Sequence, residues 1–374
     1  MRILQLGKFY PIQGGVEKVM YDLMLGLSKN YNDVTCDMLC VAAEPQSPSI
    51  KLNDNSKLFC AKLNKKLFST MLSYDIIRKL RKICKDYDII HIHHPDPMVA
   101  LALKMSGYKG KVVLHWHSDI LKQKMLLKFY RPLQNWLINR SDLIIGTSPK
   151  YLDESPHLKG TTKRKIAVPI GIEPIIPEVE KVAKIRKNYP NKKIIFSLGR
   201  LVGYKGYQYL VDAAKFLPDE FIILIGGTGP LKDELQARIS GHELNNKVKL
   251  LGRVSDDDLP SYYGACDVYV MSSVWKTEAF GIVQIEAMSC GKPVVATHIP
   301  ESGVDWVNKD GYSGINVDTE NPKAIADAIL SITSNIETYS QYCTNSKLRY
   351  AEIFTLDKMI TSVYKLYNNL LKNT

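Results

Sequence analysis

Short apolar runs alternate with longer amphipathic ones along the whole chain. Residues 2–7 (RILQLG) read as a buried strand, and 14–30 (GGVEKVMYDLMLGLSKN) as an amphipathic helix entered through a glycine loop. Further strands are expected at 34–42, 88–94 (DIIHIHH), 111–117 (KVVLHWH) and 142–148. After 88–94, Asp96 is placed to cap a helix with Pro97 at its first position. Strands this apolar, separated by helices, need a parallel sheet covered on both faces. Proline breaks the pattern at 169–174 (PIGIEP) and again at Pro177. The pattern then restarts, with strands at 192–199, 221–227, 248–252, 268–272 and 293–297 and helices between them.

The expected architecture is α/β, with two doubly wound Rossmann-like domains at 1–170 and 171–350. Residues 351–374 read as a final helix returning to the first domain. The length of 374 residues agrees with two domains of about 150 residues each. With 45% hydrophobic and 24% charged residues, disordered, collagen-like and coiled-coil chains are excluded. Apolar runs such as Phe221 to Ile225 are far short of the roughly 20 residues of a membrane span, and the start is too short in its apolar part for a signal peptide. The seven cysteines form no CxxC pair and read as reduced thiols rather than zinc ligands.

Charge adds an asymmetry. Residues 1–170 hold 27 basic against 14 acidic side chains, a net of +13, while 171–374 hold 23 against 24. The first half should therefore attract an anionic partner: acidic headgroups, a diphosphate substrate or nucleic acid. Its basic residues cluster at Lys62, Lys65, Lys66, Arg78, Lys79, Arg81 and Lys82, and at Lys122, Lys124, Lys128 and Arg131. The second cluster is interleaved with Phe129, Tyr130 and Trp136, and Tyr130 or Trp136 is expected at a membrane interface. No nucleic-acid recognition motif accompanies the charge, so nucleic acid is not an expected partner.

Ligands bind beyond the carboxyl ends of strands in such sheets, so two facing domains make one cleft. In the second half the first such loop is 199–206, where Arg200 and Lys205 stand among three glycines and can both reach one diphosphate. Residues 226–230 (GGTGP) form a second glycine loop. The segment from Glu278 to Glu286 follows a strand, and Gly281 opens a helix whose free N–H groups favour phosphate. Two carboxylates so spaced can bracket an extended ligand, one on sugar hydroxyls and the other on a ribose diol. On the same evidence they could also be a cap and a solvated helical side chain.

These elements together resemble retaining glycosyltransferases of the GT-B fold, in the large family 4 (GT4). The resemblance rests on the spacing of Glu278 and Glu286, the 199–206 and 226–230 loops, and Gly14-Gly15 after the first strand, and it spans essentially the whole chain. The stretches 115–119 (HWHSD) and 273–281 (SVWKTEAFG) are most similar to mannosyltransferases that build bacterial surface polysaccharides on a lipid diphosphate.

The resemblance implies an acceptor-binding first domain and a nucleotide-sugar-binding second one. Arg200 and Lys205 would hold the donor diphosphate, Glu286 the ribose, and Glu278 hydroxyls of the transferred sugar. Phe280, Gly281 and Ile282 would offer backbone N–H groups, with Gly227 in the same donor set. Arg253 and Val254 would lie against the base, Gly15 would close over the phosphates, and His117 would lie near the reacting carbon. Trp275-Lys276, ahead of Glu278, departs from the pattern and bears on the acceptor.

Implied partners are a nucleoside-diphosphate sugar (GDP-mannose favoured, a UDP-sugar possible), a lipid-diphosphate-linked saccharide and an anionic membrane surface. No metal or cofactor is implied, and the expected location is peripheral on the inner face of the cytoplasmic membrane. Four histidines, His91, His93, His115 and His117, alternate on neighbouring strands and could bind a metal, although no carboxylate or cysteine completes a familiar set. His91 and His93 read as structural and hydrogen-bonded. The rival functions are a nucleotide-sugar epimerase of the same fold, and a non-catalytic nucleotide-sugar or nucleic-acid binder.

Overall fold

The computed structural model describes residues 1–12, 14–43, 47, 49–67, 70–120 and 124–372. The chain divides into two compact units, Met1–Gly171 with Leu356–Thr374, and Ile172–Thr355. In chain order the first contains β1 (Arg2–Tyr10), α1 (Gly15–Asn30), β2 (Thr35–Ala42), β3 (Ser49–Asn53), β4 (Ser56–Lys62), β5 (Lys65–Leu67), β6 (Thr70–Leu72) and α2 (Tyr74–Ile83). It continues with β7 (Ile89–His94), α3 (Pro97–Ser106), β8 (Lys111–Trp116), α4 (Lys124–Arg140), β9 (Leu143–Gly146), α5 (Pro149–Glu154) and β10 (Lys165–Ala167). Its main sheet runs β10-β9-β8-β7-β1-β2-β4-β3, and β5 pairs with β6 in a separate ribbon. All pairings in the main sheet are parallel except β3 on β4. At the start of α3, Asp96 Oδ1 accepts from the amides of Met98 and Val99 at 3.0 and 3.3 Å, with Pro97 at the first position. The apolar pattern did not announce β3 to β6. β3, β5 and β6 are short and β3 has no buried residue, while in the seven-residue β4 Ser56, Lys57 and Lys62 leave an apolar run of only Leu58 to Ala61, so none carries the signal that marks a long core strand.

The second unit contains α6 (Val179–Lys187), β11 (Lys193–Leu198), α7 (Tyr207–Ala213), β12 (Phe221–Gly226), α8 (Lys232–Gly241), β13 (Val248–Gly252) and α9 (Leu259–Ala265). There follow β14 (Val268–Met271), α10 (Ile282–Ser289), β15 (Val294–His298), α11 (Val304–Val307), β16 (Gly314–Asp318), α12 (Pro322–Ile332) and α13 (Ile336–Ile353). Its sheet is wholly parallel in the order β13-β12-β11-β14-β15-β16. Numbered within the unit this is 3-2-1-4-5-6, the Rossmann order, with its reversal between β11 and β14. The loops after those two strands, 199–206 and 272–281, therefore flank the position where such sheets bind ligands. A core including Ile195, Ile223, Val268 and Val270 holds the strands in place.

The last helix, α14 (Leu356–Lys372), packs in the first unit. Residues 351–353 complete α13, so this helix begins at Leu356 rather than at 351. Tyr364 stacks on Tyr31 at the end of α1, ring centroids 3.6 Å apart. One turn on, Tyr367 is fully buried against the sheet. Strand register sets Gln5 beside His91 and His93 beside His115. Because alternate residues share a face, β1, β7 and β8 bring Gln5 and four histidines onto the side that Tyr367 covers.

Candidate active site

The loops leaving the second unit's sheet are joined to one another through backbone groups. The Gly199 amide donates to Gly226 O at 3.0 Å, Leu201 N–H to Thr228 O at 2.9 Å, and Gly227 N–H to Gly252 O at 2.7 Å. At Gly227 φ is +135°, and a Cβ would fall 1.8 Å from Gly199 O, so this crossing admits only glycine. The 199–206 loop also docks on the loop after β14: Ser272 Oγ donates to Lys205 O at 3.0 Å, and Val274 N–H to Tyr204 O at 2.8 Å.

That docking carries Lys205 to Glu278. Lys205 Nζ donates to Glu278 Oε2 at 2.5 Å, with side-chain exposures of 12% and 14%, and Ser273 Oγ donates to the same oxygen at 3.3 Å. Burial works against the lysine's charge, but Glu278, with Tyr207 and Tyr204, outweighs it and holds the ammonium above the ordinary lysine range. The ammonium has three donors, so holding Glu278 leaves capacity for a second anion. Arg200 is exposed, its Nη2 3.4 Å from Tyr204 Oη.

Gly281 is the N-cap of α10, with φ at +77°, and a Cβ there would lie 2.6 Å from Met271 Sδ. Gln284 N–H bonds back to Gly281 O at 2.9 Å, while the amides of Ile282 and Val283 are first-turn donors outside the helical ladder. The Phe280 side chain is buried and meets Phe354 edge-on, so its backbone rather than its ring is on offer to a ligand. One turn further along α10, Glu286 Oε2 accepts from Tyr263 Oη at 2.5 Å. Burial and the Glu286 charge both push the Tyr263 phenol well above its usual range, keeping it a donor to this carboxylate. Arg253 is exposed, and Val254 packs against Gly226. Nothing local in the sequence marks Tyr263 as the partner of Glu286 or Ser273 as a donor to Glu278.

Family comparison meets this geometry. Residues 178–349 match the model for Glycosyl transferases group 1, and residues 13–173 match that for Glycosyltransferase Family 4. The O-antigen chain mannosyltransferase C of Escherichia coli is 31% identical over 382 residues, covering 100% of both chains. The chain belongs to glycosyltransferase family 4. D-rhamnosyltransferase WbpZ of Pseudomonas aeruginosa is 28% identical, over 95% of this chain and 92% of its own. Two solved structures share the fold. Sucrose-phosphate synthase from Thermosynechococcus elongatus has a TM-score of 0.78 at 19% identity, over 100% of both chains. Anabaena HepE, solved with UDP and glucose, has a TM-score of 0.76 at 21% identity, over 98% of this chain and 99% of its own. Two Rossmann-like domains with parallel sheets make this family 4 glycosyltransferase a GT-B protein.

In the first unit of the glycosyltransferase, Gly14 caps α1 and Gly15 is the exposed first residue of that helix. His117 directly follows β8. The turn after it is pinned by Asp119 Oδ1, which accepts from Trp116 Nε1 at 2.9 Å and Ser155 Oγ at 2.8 Å. His117 Nε2 meets His93 Nδ1 at 2.9 Å, and His93 Nε2 meets Gln5 Oε1 at 2.8 Å. Burial first, and neighbouring imidazoles second, hold His91, His93 and His117 well below the histidine range. Burial likewise takes His94 and His115 down to about 3.

Ring nitrogens of His91, His93 and His115 lie within 4.8 Å of one another. Yet the three rings are only 12°, 18° and 29° from parallel in pairs. Imidazole lone pairs lie in the ring plane, so near-parallel rings do not aim them at one point, and stacking and hydrogen bonding describe the group better than chelation.

The basic, aromatic surface differs from expectation. Tyr130 is 8% exposed and Trp136 is half-buried beneath Lys104, whereas Phe129 is 83% exposed beside the exposed Lys128 and Arg131. The aromatic available to a membrane is thus Phe129, because the helical face that packs inward takes Tyr130 with it. Lys122 and the side chain of Lys124 lie outside the described residues. No helix among the described residues is long and apolar enough to cross a membrane, and all seven cysteines are unpaired.

The Glu286 assignment has a direct check. Glu286→Gln should weaken binding of the parent nucleotide by about 10-fold, the scale of one hydrogen bond to a charged group. The 2′,3′-dideoxy analogue, lacking the diol, should lose far less by calorimetry. Equal losses for both ligands would remove ribose from the role of Glu286.

Proposed function

We propose that the chain transfers a sugar, mannose in the favoured case, from a nucleoside-diphosphate sugar to a saccharide carried on a lipid diphosphate, in bacterial surface polysaccharide synthesis. GDP-mannose is the first choice of donor and a UDP-sugar the second. The observation that carries this reading is the Lys205–Glu278 pair at the mouth of α10, beside first-turn amides. A cation beside helix-end dipoles suits a diphosphate, and a carboxylate beside them suits sugar hydroxyls. The identity to an O-antigen chain mannosyltransferase across the full length supports the choice of sugar and pathway class. The binding of UDP and glucose by HepE supports a nucleoside diphosphate as the leaving group.

Transfer would retain anomeric configuration. The family resemblance offers no clear side-chain nucleophile, and none is evident among the described residues, so the acceptor hydroxyl attacks the face the phosphate leaves, and the departing phosphate takes its proton. Arg200, Lys205 and the start of α10 stabilise the negative charge that grows as the sugar–phosphate bond breaks. In the first unit, His117 is read as a substrate-facing group. These cationic and dipolar groups do the work a divalent ion would otherwise do, so activity is expected without one. The acceptor draws the protein to the inner face of the cytoplasmic membrane through Lys128, Arg131 and Phe129.

One assay tests the set. GDP-mannose and UDP-glucose are each offered with a lipid-diphosphate saccharide in vesicles, in excess EDTA. The expected product is a retained glycoside from GDP-mannose, formed faster on anionic than on neutral vesicles, with the advantage shrinking as salt rises. Alteration of the donor alone would indicate an epimerase, and binding with no product a non-catalytic protein. Loss of activity in EDTA with recovery in magnesium or manganese overturns the metal-free reading, and indifference to lipid charge and salt overturns the docking.

A further inference from the structure

We propose that Gln5 and His93 are positioning residues that fix His117 as its Nε2–H tautomer, so that its Nδ1 presents a lone pair to a substrate hydroxyl. The inference rests on the reading of His117 as a substrate-facing group; the two residues behind it are the new element.

Gln5 Nε2 lies 3.3 Å from Tyr367 Oη and 3.7 Å from Cys36 Sγ, and Gln5 Oε1 lies 2.8 Å from His93 Nε2. This orientation gives both amide hydrogens an acceptor, Tyr367 Oη and Cys36 Sγ; the reverse would turn one hydrogen to His93 Nε2 and leave the other without an acceptor among these groups. Tyr367 Oη, accepting from Gln5, has its own hydrogen for His91 Nδ1, the partner beside it. An amide oxygen can only accept, so His93 Nε2 carries the proton. His93 is fully buried and held neutral, so it has a single N–H and its Nδ1 must accept. The group facing Nδ1 at 2.9 Å is His117 Nε2, which therefore donates. His117 is neutral too, which leaves its Nδ1 unprotonated.

Two features make this more than core packing. His117 is 5% exposed where His91, His93 and His115 are at 0%, so it is the member of the four that reaches a surface. Its ring is also clamped by His115, stacked at 4.0 Å and 16° from parallel. The ring cannot turn over to exchange its nitrogens without breaking both contacts. A hydroxyl approaching Nδ1 thus meets a hydrogen-bond acceptor of set direction, which orients the hydroxyl without taking its proton.

The test reads the tautomer directly. The full-length protein is labelled with [15N]histidine and the ring nitrogens are followed by NMR, with His117→Ala identifying the His117 signals. The expected wild-type spectrum shows His117 protonated at Nε2 and unprotonated at Nδ1. Gln5→Leu and His93→Leu should abolish that preference and lower kcat about 10-fold in the transfer assay, the scale of one mispaired hydrogen bond, with donor KM within about 2-fold. His93→Asn, whose amide oxygen can stand where Nδ1 stood, should keep the tautomer and most of kcat. A wild-type His117 protonated at Nδ1 overturns the proposal, even if both leucine variants fail to fold, and so does a tautomer unmoved by either of them. If the tautomer behaves as expected but His117→Ala turns over normally, the reading of His117 as substrate-facing is what fails.

Discussion

Lys205→Ala is expected to lower kcat by about 10²–10³-fold, the range seen when one preorganised donor to a developing negative charge is removed. Arg200→Ala should also impair transfer, but without cost to the fold, because Arg200 is exposed. Lys205 differs because its ammonium is bonded to Glu278, and both side chains are largely covered. Removing it leaves a carboxylate with one hydroxyl donor, Ser273 at 3.3 Å. Fully buried pairs broken in this way lose about 3–5 kcal/mol, and the residual exposure and the Ser273 bond bring the expectation here down to about 2 kcal/mol. The double variant Lys205→Met with Glu278→Gln should recover much of that stability, since no charge is stranded, while remaining inactive. Thermal unfolding and turnover measured on the same preparations separate the two roles. Lys205→Ala with unchanged turnover and unchanged nucleotide affinity would rule out the diphosphate site.

Acidification from pH 7.5 to 5.5 is expected to unfold the first unit. Five histidines there, His91, His93, His94, His115 and His117, are at most 5% exposed and are held neutral mainly by burial. In the unfolded chain each titrates near pH 6.5. Above that pH neither state is protonated, and the folded state keeps its full stability. Below it the unfolded chain takes up protons that the folded one refuses, so stability falls by about 1.4 kcal/mol per histidine per pH unit. Five such groups reach about 7 kcal/mol per unit, against a typical domain stability of about 5–15 kcal/mol. The second unit has no counterpart, since His242 and His298 are partly exposed on its surface. Urea midpoints by circular dichroism, with hydrogen exchange reporting each unit, should show a steep loss concentrated in residues 1–171. A midpoint constant across that pH range would mean the histidines ionise freely in the folded protein.

What could be read along the chain was whatever neighbouring residues determine among themselves. Short apolar runs between helical stretches marked β1, β7, β8, β11, β12 and β14, because a strand buried on both faces is nearly continuous in apolar residues. Asp96 before Pro97 announced the start of α3, because a cap and its helix are bonded within three residues. The loops at 199–206, 226–230 and 278–286 stood out because their glycines, cations and carboxylates lie just beyond strand ends, where such sheets bind ligands, and the strand order then set the first and last of them at the sheet's reversal. Pairings between distant residues left no such trace. Lys205 and Glu278 are 73 positions apart, Tyr263 and Glu286 are 23 apart, and Gln5 and His93 are 88 apart. Nor did periodicity tell Phe129 from Tyr130, since both lie in one amphipathic helix and only its packing chose which ring to bury. Each of these partnerships depends on strand register and on which helix crosses which sheet, and those are settled by the burial of the whole core rather than by any local run of residues.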